Sequence, residues 1–311
     1  MVIRMTSSAP SVVFLGVCTY DTIAQVERYP GADERVAAQS IVTAGGGPAA
    51  TAAVACVRLG IPARFIGMIG DDALGEHIRQ SLEVEGVVVD SLLTASGEAS
   101  ASSVIICDSE AGTRAICNRP GPKLSFEHNG LALKHVREAA WVHVDQSSWR
   151  AFAESGSSAR LSVDAGNPMP GFVPSGTSLY APTLLQLRAR YGELSARSLL
   201  QKAMDDGARW TVATAGELGS VAQDADGNVC RVPAFTQAPL ISTLGAGDVF
   251  HGALLAAHLH GLSNVDCMRY ANITAALSCR SIDGRSAIPS HAEVMDLLPS
   301  LPALALEENL S

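Results

Sequence analysis

The stretch "ISTLGAGDVFHGALLAAHLHG", residues 241–261, decides how the rest of the chain is read. Asp248 is its single acidic residue, and neither Lys nor Arg occurs there. It follows Gly245, Ala246 and Gly247 and precedes an apolar run. Phe250, Leu254, Leu255, Ala257 and His258 suit a helix with a buried face over 247–260. Taken alone, Asp248 is equally well a helix-start residue whose charge complements the dipole. The glycines add a second reading. They leave the backbone open to close approach, and a helix N-terminus presents free N–H groups to an anion. A carboxylate beside such a turn is repulsive unless it has chemistry to do. The chemistry that fits is accepting a proton from a hydroxyl that attacks a phosphate.

The bulk composition narrows the classes. The 311 residues are 47% hydrophobic and 17% charged, enough for one large core or one core with a small appendage. The net charge is −9 and there is no basic run, which argues against nucleic acid as a partner. An anionic substrate must then be held by a few local cations. The cysteines at 18, 56, 107, 117, 230, 267 and 279 form no C-x-x-C and no metal-finger spacing. Most sit in apolar runs, as small hydrophobes in a reducing cytosol do. Arg4 and the run "SVVFLGVC" resemble a leader superficially, but the run is strand-length and no A-x-A-like site follows. No segment approaches the roughly 18 apolar residues of a membrane helix.

Working outward, Val12–Val17 reads as a buried strand and 36–42 as a second extended piece. The turn Gly45–Gly47 leads into a helix to about Leu59, stopped by Gly60 and Pro62. "ARFIGMIG" reads as one strand, and the amphipathic helix after it ends at Gly86. Residues 101–107 and 113–117 form a hairpin around "DSEAG". Helix and strand then alternate: helices 131–138, 148–154, 183–191 and 196–205, with strands at "AAWVHVD", "ARLSVDAG" and "RWTVAT". A hairpin over 219–232 turns at Asp226-Gly227, and helices 247–260, 265–279 and 291–297 close the chain. The last carries a capping box at Ser290 and Glu293. Such alternation implies an α/β fold with a central, mainly parallel sheet flanked by helices. The extended pieces near 15–45 and 100–117 fall outside it and are expected to form a small projecting β-sheet lid on a single domain, 1–311.

"TLGAGDVFHGA" (243–253) and "GGGPAATAAVACVRLG" (45–60) resemble the two signatures of the ribokinase (PfkB-type) carbohydrate kinase family, in the family's order. "GMIGDDALGEHI" (67–78) and "GRSAIP" (284–289) match too, so the resemblance spans about Val12 to Val294. Within the family, the triple glycine with Pro48, "GDVFHGA" and "GRSAIP" are most similar to the sulfofructose kinases. The "YP" and acidic stretch at 29–34 is similar to the ketohexokinases. The resemblance implies a ribokinase-like fold and ATP-dependent phosphorylation of a sugar hydroxyl. Asp248 would be the catalytic base, with the backbone N–H groups of Gly245, Ala246 and Gly247 as the anion hole. Such a site works by in-line positioning and charge stabilisation.

The resemblance carries further positions, each with a plainer alternative. Asp21, after the first strand, would bond sugar hydroxyls, or be a turn aspartate. Gly46 and Gly47 would admit the sugar closely and also suit an ordinary strand–helix turn. Thr51 stands where the family usually has Asn, which removes an amide contact. Asn118 would meet the substrate's distal acidic group, or form a turn before Arg-Pro. Arg35 matches a residue that reaches the sulfonate in the neighbouring subunit, or is simply solvated. Thr214, Gly216 and Gly219 in "VATAGELG" would line the ATP phosphate and ribose side. Asn272 would face adenine, or be a buried or capping residue. His251 is expected to pack or face solvent.

Some departures stand out. The family's N-x-x-E motif is "APTLLQL" here, so Mg2+ would bridge the ATP phosphates through waters with no protein ligand to name. Ser242 replaces the family's Asp before the signature, which puts a monovalent-cation site in doubt. A second arginine is expected after "WVHVD", where Ser147 stands; Arg150 lies one helical turn on. The expected activity is phosphorylation of a ketose-type sugar, with 6-deoxy-6-sulfofructose to its 1-phosphate foremost. Ketohexokinase, ribokinase and 2-keto-3-deoxygluconate kinase activities stay open. A non-catalytic sugar or nucleotide sensor is the rival from another class, and it would not need Asp248. A cytoplasmic homodimer paired through the lid sheets is expected on the resemblance, and pairing would cover their edges.

Overall fold

The computed structural model describes residues 12–127 and 129–305; Arg4 lies outside them. The chain begins with β1 (Val12–Leu15), β2 (Thr19–Val26), β3 (Ser40–Gly46) and α1 (Pro48–Arg58). It continues through β4 (Ala63–Ile66), β5 (Met68–Gly70), α2 (Ala73–Val84), β6 (Leu93–Ala95), β7 (Ser102–Asp108) and β8 (Thr113–Arg119). Alternation follows in α3 (Gly130–Glu138), β9 (Trp141–Val144), α4 (Trp149–Ser155), β10 (Arg160–Ala165), β11 (Leu179–Pro182), α5 (Leu184–Tyr191), α6 (Ala196–Asp205) and β12 (Trp210–Thr214). The last elements are β13 (Ser220–Asp224), β14 (Val229–Val232), α7 (Ala246–Leu259), α8 (Asn264–Ser278), α9 (His291–Leu297) and β15 (Leu304–Ala305).

The main sheet runs β15-β14-β13-β12-β11-β10-β9-β1-β4. Its strands are parallel from β4 to β12, and the remaining pairings are antiparallel. The parallel strands are short, apolar and covered on both faces, as crossover helices require. Successive residues alternate between the two cores. Val12 and Phe14 pack toward α1, α7 and α8, while Val13 and Leu15 pack toward α3 to α6. Helices α1 and α7 approach closely because their contact is built from small residues. A Cβ on Gly252 of α7 would collide with the backbone carbonyl of Ala52 on α1.

A separate four-stranded sheet, β3-β2-β7-β8, forms the lid. Its inner face buries Ile23, Ile105 and Cys107 against Val42, Ala44, Leu244 and Ile282, so the lid rests on the segment that leads into α7. On its other face Ile41 and Val104 stand exposed at 67% and 54%. β3 begins at Ser40 rather than at Val36, because residues 35–39 are in neither helix nor strand. "ARFIGMIG" is two strands, not one. Gly67 sits against the Phe65 ring and the Gly16 carbonyl, where a Cβ would lie 2.6 Å from each. The chain bends there, and β5 leaves the main sheet to pair with β6. The seven cysteines are all free, and among the described residues no helix is long and apolar enough to cross a membrane.

Candidate active site

A cavity of about 1130 Å³ opens where the C-terminal ends of β1, β9, β10, β11 and β12 meet the lid and the start of α7. This is the crevice in which open α/β sheets bind ligands. Gly245, Gly247, Asp248 and His251 line it from α7, and Asp21, Ser103 and Asn118 line it from the lid.

The turn into α7 explains its own sequence. Gly245 is the N-cap, at φ 73°, and a Cβ there would lie 2.8 Å from Gly284 Cα. A Cβ on Gly247 would meet nothing within 4 Å, so this position faces open space. First-turn N–H groups have no acceptor within the helix and can receive an anion. Gly245 and Gly247 are in the cavity wall. Ala246 contributes differently from the expectation: its N–H donates to the Thr243 carbonyl at 3.3 Å. Asp248 is half-buried at the cavity floor. Burial raises its proton affinity, the Asp164 carboxylate raises it further, and His251 opposes both.

On the lid side, Asp21 is buried and its Oδ1 accepts from Thr19 Oγ1 at 2.8 Å. Burial raises its pKa against the bonds from Thr19 and Ser103. Gly46 has no room for a Cβ, which would strike the Asp21 carboxylate. Gly47, at φ 92°, abuts the Val17 carbonyl. Thr51 is buried, and its hydroxyl accepts from Arg285 Nε at 3.2 Å while Arg285 Nη2 donates to the Gly46 carbonyl at 2.9 Å. Arg285 thus holds the Thr51 hydroxyl as an acceptor, at the position where the resemblance expects a substrate contact. Burial brings that guanidinium down to about 10 against the opposing pull of Asp21.

Asn118 lines the cavity with its Nδ2 3.4 Å from Ser103 Oγ. Arg35 is exposed in the segment before β3 and is not in the wall. The wall cations are Arg114, Lys123 and Arg150. Arg114 Nη1 donates to Thr243 Oγ1 at 2.7 Å, joining the lid to the loop ahead of Gly245. Arg150 lies 4.8 Å over the Trp149 ring and donates to the Pro170 carbonyl at 3.2 Å. Ser147, where an arginine was expected, also lines the cavity.

Thr214 is in the wall, whereas Gly216 and Gly219 form the turn between β12 and β13 outside it. Their φ angles are 58° and 93°. Asn272 is buried and directs Nδ2 to the carbonyls of Val232 and Pro233, both at 3.0 Å. It ties the end of β14 to α8 and is not in the cavity wall. Among the described residues no three His, Cys, Asp or Glu side chains are grouped to hold a metal ion. Sequence reasoning did not single out Asp164 or Arg285, and it expected His251 only to pack or face solvent. All three are buried at the site. Asp164, at the C-terminal end of a buried parallel strand, carried the one usable signal.

Residues 9–160 and 175–291 match the pfkB family carbohydrate kinases, and the chain belongs to that family. It is 25% identical over 292 residues to the ribokinase of Bacillus subtilis, covering 93% of this chain and 99% of the relative. Among solved structures it is similar to Arabidopsis thaliana ribokinase complexed with ribose and ATP (TM-score 0.78, 23% identity, 94% of this chain and 99% of that one). It is also similar to an Escherichia coli protein provisionally assigned as ribokinase II, in complex with ATP and Mg2+ (TM-score 0.81, 18% identity, 94% and 100%). These structural likenesses establish the ribokinase-like fold.

Proposed function

We propose that the protein transfers the γ-phosphoryl group of ATP to a hydroxyl of a ketose-type sugar, with 6-deoxy-6-sulfofructose as the favoured acceptor and its 1-phosphate as the product. The observation that carries this reading is Asp248 on the third position of an open, glycine-flanked helix N-terminus at the floor of a lidded cavity. The sugar oxygen attacks the γ-phosphorus in line, and the bond from that phosphorus to the β–γ bridging oxygen breaks. ADP leaves, and the hydroxyl proton passes to Asp248. Backbone N–H groups of Gly245 and Gly247 steady the phosphoryl oxygens as charge moves. Asp21 accepts from another sugar hydroxyl, and the closed lid excludes water that would otherwise hydrolyse ATP.

Thr214 faces the ATP phosphates, with Gly216 and Gly219 shaping the turn beside them. Bound Mg2+ would neutralise phosphate charge, and no direct protein ligand is assigned to it, since among the described residues no three His, Cys, Asp or Glu side chains are placed to hold one metal ion. The anionic end of the substrate is matched by Asn118 with Lys123 and Arg150 in the wall. Arg35 could serve only a second copy's cavity. The outer lid face fits such pairing: Ala24 neighbours Ile41 and Ile106, and Val104 neighbours Cys117. Free cysteines agree with a cytoplasmic setting.

The second reading is ribose phosphorylation, favoured by the ribokinase of B. subtilis at 25% identity. A panel of ribose, fructose, 2-keto-3-deoxygluconate and 6-deoxy-6-sulfofructose separates the two through kcat/KM. The sulfosugar reading expects the sulfonated ketose to lead and to lose its lead in Arg150→Ala. Equal values for the sulfonated and plain ketose, or ribose in front, would remove it. Retained preference in Arg35→Ala would remove only the cross-subunit contact.

A further inference from the structure

Asp164, at the end of β10, and Asp248, at the start of α7, line the cavity that must also receive a polyphosphate, and Asp145, fully buried after β9, adds a third carboxylate outside the wall. His251 is one helical turn beyond Asp248. Its Nε2 lies 3.1 Å from the Ala181 carbonyl, which can only accept, so Nε2 carries hydrogen. Its Nδ1 lies 3.0 Å from Asp164 Oδ2, and the side chains of the pair are 4% and 3% exposed. Asp164 Oδ1 accepts from the Gly166 N–H at 2.8 Å. Nδ1 and Asp164 stand at ion-pair distance without hydrogen-bond alignment, and an imidazole held between a carbonyl and a carboxylate is best placed with both nitrogens protonated.

We propose that Asp164 and His251 form a buried carboxylate–imidazolium pair of zero net charge, and that this pair keeps Asp248 ionised and available as the base. Neither residue touches the reacting atoms, so both are positioning residues. This inference rests on the reading of Asp248 as the base. Without His251 the Asp164 charge would stand uncompensated beside Asp248, and a like charge disfavours ionisation. The other groups near by do not replace it. His143 on β9 lies 6.2 Å ring to ring from His251, and burial keeps it neutral, down at about 3. Asp145 adds negative charge, and Arg285 comes last among the influences on Asp248. From α1 and α8, which pack against α7, the ionisable side chains buried in the shared core are the thiols Cys56 and Cys267 and the phenol Tyr270, all shifted upward and so uncharged at neutral pH. Asp21 and Arg114 face the cavity from the lid.

The test is the acid limb of kcat/KM in wild type, His251→Gln, Asp164→Asn and the double variant. Removing the cation alone should move the limb up by about one unit, lowering kcat/KM at pH 6 by about tenfold relative to its own plateau. Asp164→Asn alone, which lets His251 become neutral, should leave the limb in place. The double variant should restore it. A purely structural role would lower the plateau without moving the limb and would make the double variant worse. An unmoved limb in His251→Gln, or an unrestored double variant, overturns the proposal. Nitrogen-15 NMR of wild-type His251, assigned by its loss in His251→Gln or by selective labelling, gives a reading independent of turnover. Both nitrogens protonated at pH 7–8 is the expected result, and a neutral ring there contradicts it. Turnover surviving in Asp248→Asn would instead remove the base reading itself.

Discussion

The two glycine turns, Gly45–Gly47 and Gly245–Gly247, look alike in sequence and enter helices that pack against each other, yet they are built to opposite ends. The first is sealed on the side a Cβ would take, while Gly47 also lines the cavity. A Cβ at Gly45 would strike Arg285, at Gly46 the Asp21 carboxylate and at Gly47 the Val17 carbonyl. The second is closed only at Gly245, by Gly284, and is open at Gly247. In the first turn, then, glycine allows protein to fill the space. In the second it leaves space for something that is not protein. Arg285 and Gly284, adjacent in sequence, brace the two turns together.

The largest expected effect lies at the open turn. Asp248→Asn should fold and lose about 10²–10⁴-fold in kcat, measured by coupled ATP turnover beside a thermal melt. Near-normal kcat would place the chemistry elsewhere. Gly247→Ala should lower kcat/KM by roughly 10–10²-fold through misplacement of the phosphoryl group. Its melting temperature should hold or rise, because alanine is the better helix former. A melt that drops with activity intact would reverse the contrast between the turns. Gly47→Ala at the sealed turn should destabilise by about 1–3 kcal/mol in denaturant titration, since the backbone has both a left-handed φ and no room. No loss of stability would show that this turn is not sealed.

The smallest effect is on stability against pH. The raised Asp248 pKa means that the folded state holds its proton to higher pH than the unfolded chain does. Below the ordinary carboxylate value of 3.8 both states are protonated and no penalty exists. As pH rises past it the folded state bears the cost, which is complete above the raised value. Asp248→Asn removes that cost, so its melting temperature should exceed that of wild type by a margin that opens between pH 4 and pH 8. A margin independent of pH would mean that the carboxylate is not strained by its burial.

Periodicity made the α/β alternation legible, and turn chemistry marked the lid hairpin, because both signals are local. The Ser290 cap accepts from the Glu293 N–H as its spacing implies. What escaped was long-range. Nothing near Thr51 announces that its partner is Arg285, 234 positions away. His251, on an apolar helix, carried no mark of the buried acid it meets from β10. Asn272 could be read toward a ligand or toward the core, and nothing local to it announces the Val232 and Pro233 carbonyls that its amide meets. Arg35 could be read toward a neighbouring subunit or as simply solvated, and its exposed place outside its own cavity wall fits either reading.

The central claim is that a carboxylate with raised proton affinity, at the mouth of the open turn, takes the proton of the attacking hydroxyl. The most direct test is the pH dependence of kcat/KM in wild type and Asp248→Asn side by side. The account predicts a wild-type acid limb lying above the ordinary carboxylate range and a residual rate in the variant that is flat across the same interval. A wild-type profile flat from pH 5 to 8, or a limb that survives in Asp248→Asn, would contradict it.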